Sequence, residues 1–199
     1  MERDLAKRSG GANADPAGHA LLMGRTLQGL KAMDVSVVVD WLTGLDTPFA
    51  VDPERIFLYG HSLGGTTAQF AAAPDTRIRG ILASGSVRRL LEVASTRGVG
   101  NGEYSILGFL EAFEIDDVLA LIAPRPFVGL SGRNDHIFPY DGVVRVVEGA
   151  AAAYEACHAV DRLRASAAPG GHQYYPAESW TAWRSIIDPR CGDDPVQPK

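Results

Sequence analysis

The hexapeptide Gly60-His61-Ser62-Leu63-Gly64-Gly65 is where residue types and spacing most directly suggest chemistry. It is G-x-S-x-G, preceded by the apolar run Ile56-Phe57-Leu58-Tyr59 and followed by a small-residue stretch, Leu63–Ala73. A strand that turns sharply into a helix at a serine exposes the hydroxyl and holds the serine backbone in a strained conformation, the nucleophile elbow. Glycines two residues before and after are expected to keep neighbouring Cβ atoms out of the turn. The helix N-terminus behind the serine favours developing negative charge, and the Leu63 amide is placed to donate to an oxyanion. The chemistry implied is acyl transfer with Ser62 as nucleophile.

A serine hydroxyl needs a base, and the base needs an orienting acid; behind such an elbow the acid comes next in the chain and the histidine last. The chain has five histidines. His172 follows Pro169-Gly170-Gly171, after the run Arg162–Ala167 and before the final helical stretch, which is the position expected of the base. His19 precedes the serine, and His61 lies inside the elbow with its side chain expected to face away from Ser62. His136 adjoins the candidate acid, and His158 ends a helical stretch. Asp135 is the first carboxylate after the apolar run Pro126–Ser131, whereas the preceding run ends Ser84-Gly85-Ser86 with no carboxylate. Against these stand plainer readings: Asn134-Asp135 as turn chemistry, and His172 as a surface loop residue. A histidine base requires activity to rise with pH as imidazole loses its proton. No C-x-x-C, H-E-x-x-H, P-loop or dinucleotide fingerprint occurs, so neither a metal nor a cofactor is expected.

These residues must be carried by alternating elements. Strands are expected at Arg55–Tyr59, Ile78–Ser84, Pro126–Ser131 and Arg162–Ala167. Between and after them come helices at Leu63–Ala73, Asp141–His158 and Pro176–Ile187. Alternation of this kind implies an α/β fold around a mainly parallel sheet. Upstream, His19–Lys31 reads as a short helix or loop–helix. Asp34–Leu45 reads as a helix capped by Asp34, because Met33, Val37, Trp41 and Leu45 recur at i, i+4. Residues 87–123 form a long excursion with helical pieces at Val87–Ser95, Ile106–Phe113 and Asp116–Ile122. It is expected to act as a lid or insertion, with Tyr104, Phe109 and Phe113 either lining a substrate pocket or forming ordinary core. Residues 1–18 are polar and glycine-rich, expected to be disordered and without an apolar signal segment, and 188–199 form a polar tail. The whole, residues 1–199, reads as one domain.

Composition narrows the function classes. With 46% hydrophobic and 22% charged residues the chain can bury a core, and a net charge of −5 disfavours nucleic acid as a partner. No run of 18 apolar residues is present, so no membrane span is expected. The two cysteines, Cys157 and Cys191, are expected to be free thiols.

The sequence resembles the α/β-hydrolase superfamily, and within it bacterial esterases of the dienelactone-hydrolase and acetylxylan-esterase type. The resemblance runs over about residues 19–187 and rests on VDPERIFLYGHSLGG, FEIDDVLALIAPRPF, GRNDHIFPYDGV and APGGHQYYP. It implies cofactor-free hydrolysis of a short-acyl or acetyl-type carboxylic ester through a serine acyl-enzyme. Ser62 would be the nucleophile, His172 the base, Asp135 its orienter and Leu63 an oxyanion donor. The implied partner is a small-molecule ester. Such hydrolases carry several strands and an H-G-type loop, source of the second oxyanion amide, before the elbow. Neither precedes Ser62 here. The expectation is therefore an N-terminally truncated hydrolase of about four core strands, with a sheet edge open to self-association. A prolyl-peptidase-like or thioesterase activity on the same triad, and an inactive fragment or interaction module, remain as alternatives.

Overall fold

Runs that are apolar or small at nearly every position, such as Ile78–Ser84 and Phe127–Gly132, call for strands covered on both faces. The computed structural model, which describes residues 14–44, 47–97 and 104–187, has them at the centre of its sheet. Along the chain the elements are α1 (Ala14–Leu22), α2 (Leu27–Thr43), β1 (Ile56–His61), α3 (Leu63–Ala72), β2 (Ile78–Ser84), α4 (Leu90–Arg97) and α5 (Phe109–Ala112). They continue with α6 (Ile115–Ala120), β3 (Phe127–Gly132), α7 (Tyr140–Ala156), β4 (Leu163–Ala168) and α8 (Pro176–Ile187). The four strands are all parallel, in the order β1-β2-β3-β4.

Alternation along the central strands divides the core into two layers. Ile81, Ala83 and Phe127 pack with Ala68, Ala72, Leu119, Val143 and Val146, from α3, α6 and α7. Leu82, Val128 and Leu130 pack with Tyr175, Ala182, Trp183 and Ile186, which α8 and the turn before it bring to the other side. Gly129 belongs to the first layer: a Cβ there would sit 2.7 Å from Val143 Cγ1, so glycine lets α7 lie close on the sheet.

The links between strands are tied by charge and by backbone carbonyls. Asp75, just before β2, accepts from the Arg77 side chain and from Ser36 Oγ of α2. The Arg77 guanidinium holds its carboxyl at about 2, well below the usual carboxylate range, although burial opposes this. Arg125, in the approach to β3, donates through Nη1 to the carbonyls of Asp75 and Ile78, while its own carbonyl accepts from Tyr154 of α7. The Leu119–Pro126 approach is thereby fastened to the start of β2.

Several expectations change. Residues 14–18, expected to be disordered, belong to α1, with Ala17 and Ala20 buried. The rest of the 1–18 segment, together with Leu45, Cys191 and the 188–199 tail, lies outside the described residues. Cys157 is a free, exposed thiol. Helix α2 starts at Leu27, capped by Thr26, whose side chain accepts from the Gly29 amide; Asp34 lies inside the helix and caps nothing. The i, i+4 spacing identified this helix correctly, but Met33, Val37 and Trp41 are exposed while Val39 turns into the core. Periodicity establishes a helix; it does not say which face is covered.

The excursion over 87–123, expected as a lid or insertion, sends part of its described residues into the core and leaves Leu91, Leu107, Leu110, Phe113 and Leu121 exposed. Val87, Leu90, Ile115, Leu119 and Ile122 are buried in the layer under α7. The capping box at Glu114 and Asp117 starts α6, and Glu114 also accepts from the amides of Leu90 and Leu91, pinning α4 to α6. Phe109 packs edge-on against Phe70 and lies tilted beside Phe113. These rings line an apolar groove of about 590 Å³ with Met33 and Val37, and Ser62 is not among its lining residues.

Candidate active site

Ser62 occupies the turn between β1 and α3 with φ 52° and ψ −124°, a conformation costly for any residue with a side chain. The backbone holds it there from both sides. Its amide donates to the Ser84 carbonyl on β2, and its carbonyl accepts from the amides of Gly65 and Thr66. Leu63 is the first residue of α3, so its amide has no acceptor within the helix.

The glycines divide the steric work differently from the motif. A Cβ at Gly60 would lie 2.2 Å from the Gly64 carbonyl oxygen, and one at Gly65 would lie 2.2 Å from Ser86 Oγ. A Cβ at Gly64 would meet nothing within 4 Å. The tight pair is therefore Gly60 and Gly65, and the second glycine of G-x-S-x-G is spatially free. Gly60→Ala is expected to destabilise the fold by about 1–3 kcal/mol or more, as overpacking against backbone does. Gly64→Ala should change stability by less than about 1 kcal/mol, in the stabilising direction. Urea unfolding of both variants checks the pair, and equal losses at the two positions would contradict the geometry.

The three predicted side chains meet. Ser62 Oγ lies 3.0 Å from His172 Nε2, and His172 Nδ1 lies 2.8 Å from Asp135 Oδ2. An ionised carboxylate can only accept, so Nδ1 carries the proton and Nε2 is left to accept from the Ser62 hydroxyl. Asp135 is 3% exposed and fully engaged. Oδ1 accepts from the amides of Ile137 and Phe138 at 2.8 and 2.9 Å, and Oδ2 accepts from Ser131 Oγ at 3.3 Å as well as from His172. Burial by itself would raise its pKa; the Phe138 amide, the His172 contact and the Ile137 amide outweigh burial and bring it below the ordinary carboxylate value.

Each loop is shaped by its own sequence. Arg133 and Asn134 donate to the carbonyls of Ala168 and Gly170, locking the acid turn to the histidine loop. Gly132 is needed at this crossing, since a Cβ there would lie 2.3 Å from the Gly170 oxygen. Tyr175 donates from its hydroxyl to the Gly171 carbonyl and fixes the loop just before the imidazole. Two rings border His172, at centroid distances of 5.0 Å for His61 and 5.9 Å for Phe138. The sequence reading missed both. It expected the His61 side chain to face away from Ser62 and gave it no neighbour; the ring lies 5.0 Å from that of His172. Phe138 had no signal beyond its place three residues after the acid. Among the described residues no cluster of three or more His, Cys, Asp or Glu side chains could hold a metal, and no helix is long and apolar enough to cross a membrane.

A parallel sheet with helices on both faces, and a strained serine between strand and helix facing a histidine and an aspartate, defines an α/β protein of the hydrolase type. The chain belongs to the alpha/beta hydrolase family, whose sequence profile matches residues 8–199. It is 28% identical over 167 residues to YtaP of Bacillus subtilis (strain 168), which is named as a hydrolase; the match covers 83% of this chain and 55% of that protein. A glucuronoyl esterase from Solibacter usitatus superposes with a TM-score of 0.62 at 22% identity, covering 81% of this chain and 48% of the esterase. A carbohydrate esterase family 15 glucuronoyl esterase from Caldicellulosiruptor kristjansonii superposes with a TM-score of 0.66 at 17% identity, covering 84% and 52%. The chain thus spans about half the length of these relatives.

Proposed function

We propose that this chain carries the catalytic residues of a serine carboxylic-ester hydrolase acting on short-acyl esters. The unbroken contact path from Ser62 Oγ through His172 to the buried Asp135 carries this reading. Glucuronoyl esterases are among the proteins that share its fold, which supports the ester reading.

In the mechanism that follows from the geometry, His172 Nε2 takes the Ser62 proton as Oγ attacks the ester carbonyl carbon. The resulting imidazolium is stabilised by Asp135, which stays ionised. The oxyanion forms beside the start of α3, where the Leu63 amide and the positive end of the helix favour it. His172 then returns the proton to the leaving alkoxide, and the acyl group remains on Ser62. Water enters, gives its proton to Nε2 and attacks the acyl carbon, releasing the acid and restoring the serine.

The test is covalent labelling by a fluorophosphonate together with turnover of p-nitrophenyl acetate. Peptide mapping should place the adduct on Ser62, with labelling and turnover lost together in Ser62→Ala. A folded chain that neither takes the probe nor releases p-nitrophenol would refute the proposal.

A further inference from the structure

His61 is a titratable ring that the mechanism above leaves without a role. It is the residue immediately before the nucleophile, and it is half-buried. Its Nδ1 lies 3.2 Å from Ser84 Oγ at the end of β2, which fixes the ring from one side. Its ring sits 5.0 Å from that of His172, at 35° between planes. The floor under both rings is Gly85, at φ +56°: a Cβ there would lie 3.1 Å from His61 Cε1 and 3.1 Å from His172 Cε1. Glycine at this point lets the two imidazoles approach each other across the end of β2. The ring of Phe138, 5.9 Å from His172 and nearly parallel to it at 27°, is a second aromatic contact, supplied by the acid turn.

We propose that His61 is a positioning residue: its ring, anchored to Ser84 over Gly85, works with the Phe138 ring to clamp the His172 imidazole in line between Ser62 and Asp135. The proposal rests on the esterase reading above for its kinetic consequence, though the clamp itself is a property of the resting protein. Both clamping residues are tied to the groups they align. His61 is bonded in sequence to Ser62, and Phe138 donates its amide to Asp135. A shift of either group relative to the base therefore moves a ring as well.

The clamp has to be uncharged, because His172 becomes an imidazolium during the reaction. The charged or titratable groups facing His61 are His172, from the loop after β4, and Asp135, from the turn after β3; Ser84 on β2 is neutral. Burial, and then the charge of His172, depress His61 below the ordinary imidazole value, with Asp135 acting weakly the other way. The ring beside the base is thus kept neutral, and it adds no second positive charge when the base is protonated.

If a ring face is what matters, phenylalanine should replace His61 and alanine should not. His61→Ala is expected to lower kcat on the order of ten- to a hundredfold through loss of alignment, with KM little changed. His61→Phe, which keeps the ring face but gives up the Ser84 contact, should recover most of the kcat that His61→Ala loses. A second readout needs no turnover: the downfield proton resonance of the His172 Nδ1–Asp135 hydrogen bond should broaden or vanish in His61→Ala and persist in His61→Phe. Should His61→Ala fail to fold, His61→Asn takes its place, because asparagine can keep the Ser84 contact but presents no ring. Full kcat and an unchanged resonance in the ringless variant would overturn the clamp, and so would a His61→Phe variant as impaired as the ringless one. Turnover that survives Ser62→Ala, or its absence from the unsubstituted protein, would instead strike the esterase reading and leave the resonance to decide the clamp. Loss of turnover in Ser62→Ala beside full turnover and an unchanged resonance in His61→Ala strikes the clamp alone.

Discussion

Ser62→Ala and His172→Ala are each expected to lower kcat for p-nitrophenyl acetate by a factor on the order of 10⁶, and the double variant should lose no more than either single one. The non-additivity is the sharper part of the expectation. In the proposed mechanism Ser62 is a poor nucleophile at its own acidity, and His172 Nε2, 3.0 Å from Oγ, serves as the base within reach of its proton. Without the base the hydroxyl attacks too slowly to matter, and without the hydroxyl the base has nothing to activate. What remains in both cases is hydrolysis by water in a site that still offers the amides at the start of α3. KM should change little, because neither substitution removes a surface that holds the ground-state ester. Steady-state kinetics of the three variants, with their thermal midpoints as a check on folding, decide the matter. Losses that multiply in the double variant would mean that the two residues act independently, and the proposed serine activation would fail.

The meeting of Ser62, Asp135 and His172 was legible because each follows a strand with a recognisable composition. Ile78–Ser84 and Pro176–Ile187 were placed to the residue, since a run that is apolar or small at every position but Arg79 and an amphipathic stretch have few alternative readings. Other features needed three dimensions. The exposed apolar stripe of α2 has the same i, i+4 spacing as a buried one, so only packing shows that Val39 faces the core. The excursion at 87–123 reads as an insertion in sequence; its buried residues come from scattered positions, Val87 ahead of α4, Leu90 in α4, and Ile115 and Leu119 in α6, which no single period links. Gly60 and Gly64 are equivalent in the motif, yet a Cβ would strike backbone only at the first. The orientation of His61 depends on Gly85, 24 positions later in the chain, and long-range contacts of that kind leave no local pattern.

Asp135→Asn should leave the protein folded and lower kcat by a factor on the order of 10⁴. Asparagine Oδ1 can still accept from the amides of Ile137 and Phe138, so the turn keeps its shape. Opposite His172 Nδ1, however, the carboxylate oxygen is lost, and an amide NH₂ turned there donates rather than accepts. Nδ1 then becomes the acceptor and Nε2 carries the proton. A protonated Nε2 cannot take the Ser62 proton. Raising the pH should not restore activity, because the fault is the wrong tautomer of a neutral ring rather than an unwanted positive charge. Stability provides an independent check with a definite sign. The Asp135 carboxyl lies below its ordinary value in the folded chain, since the Phe138 amide, His172 and the Ile137 amide together outweigh the burial that opposes ionisation. A carboxylate so depressed contributes its full stabilisation above the ordinary carboxylate range, about pH 4, and loses it as the pH falls through the lower folded value. The stability gap between the unsubstituted chain and Asp135→Asn should therefore be widest near neutrality and close as the solution is acidified below about pH 4. Thermal melts of both proteins across that interval read the sign directly. A gap that widens in acid would reverse the electrostatic assignment, and undiminished turnover in the variant would mean that another carboxylate orients His172.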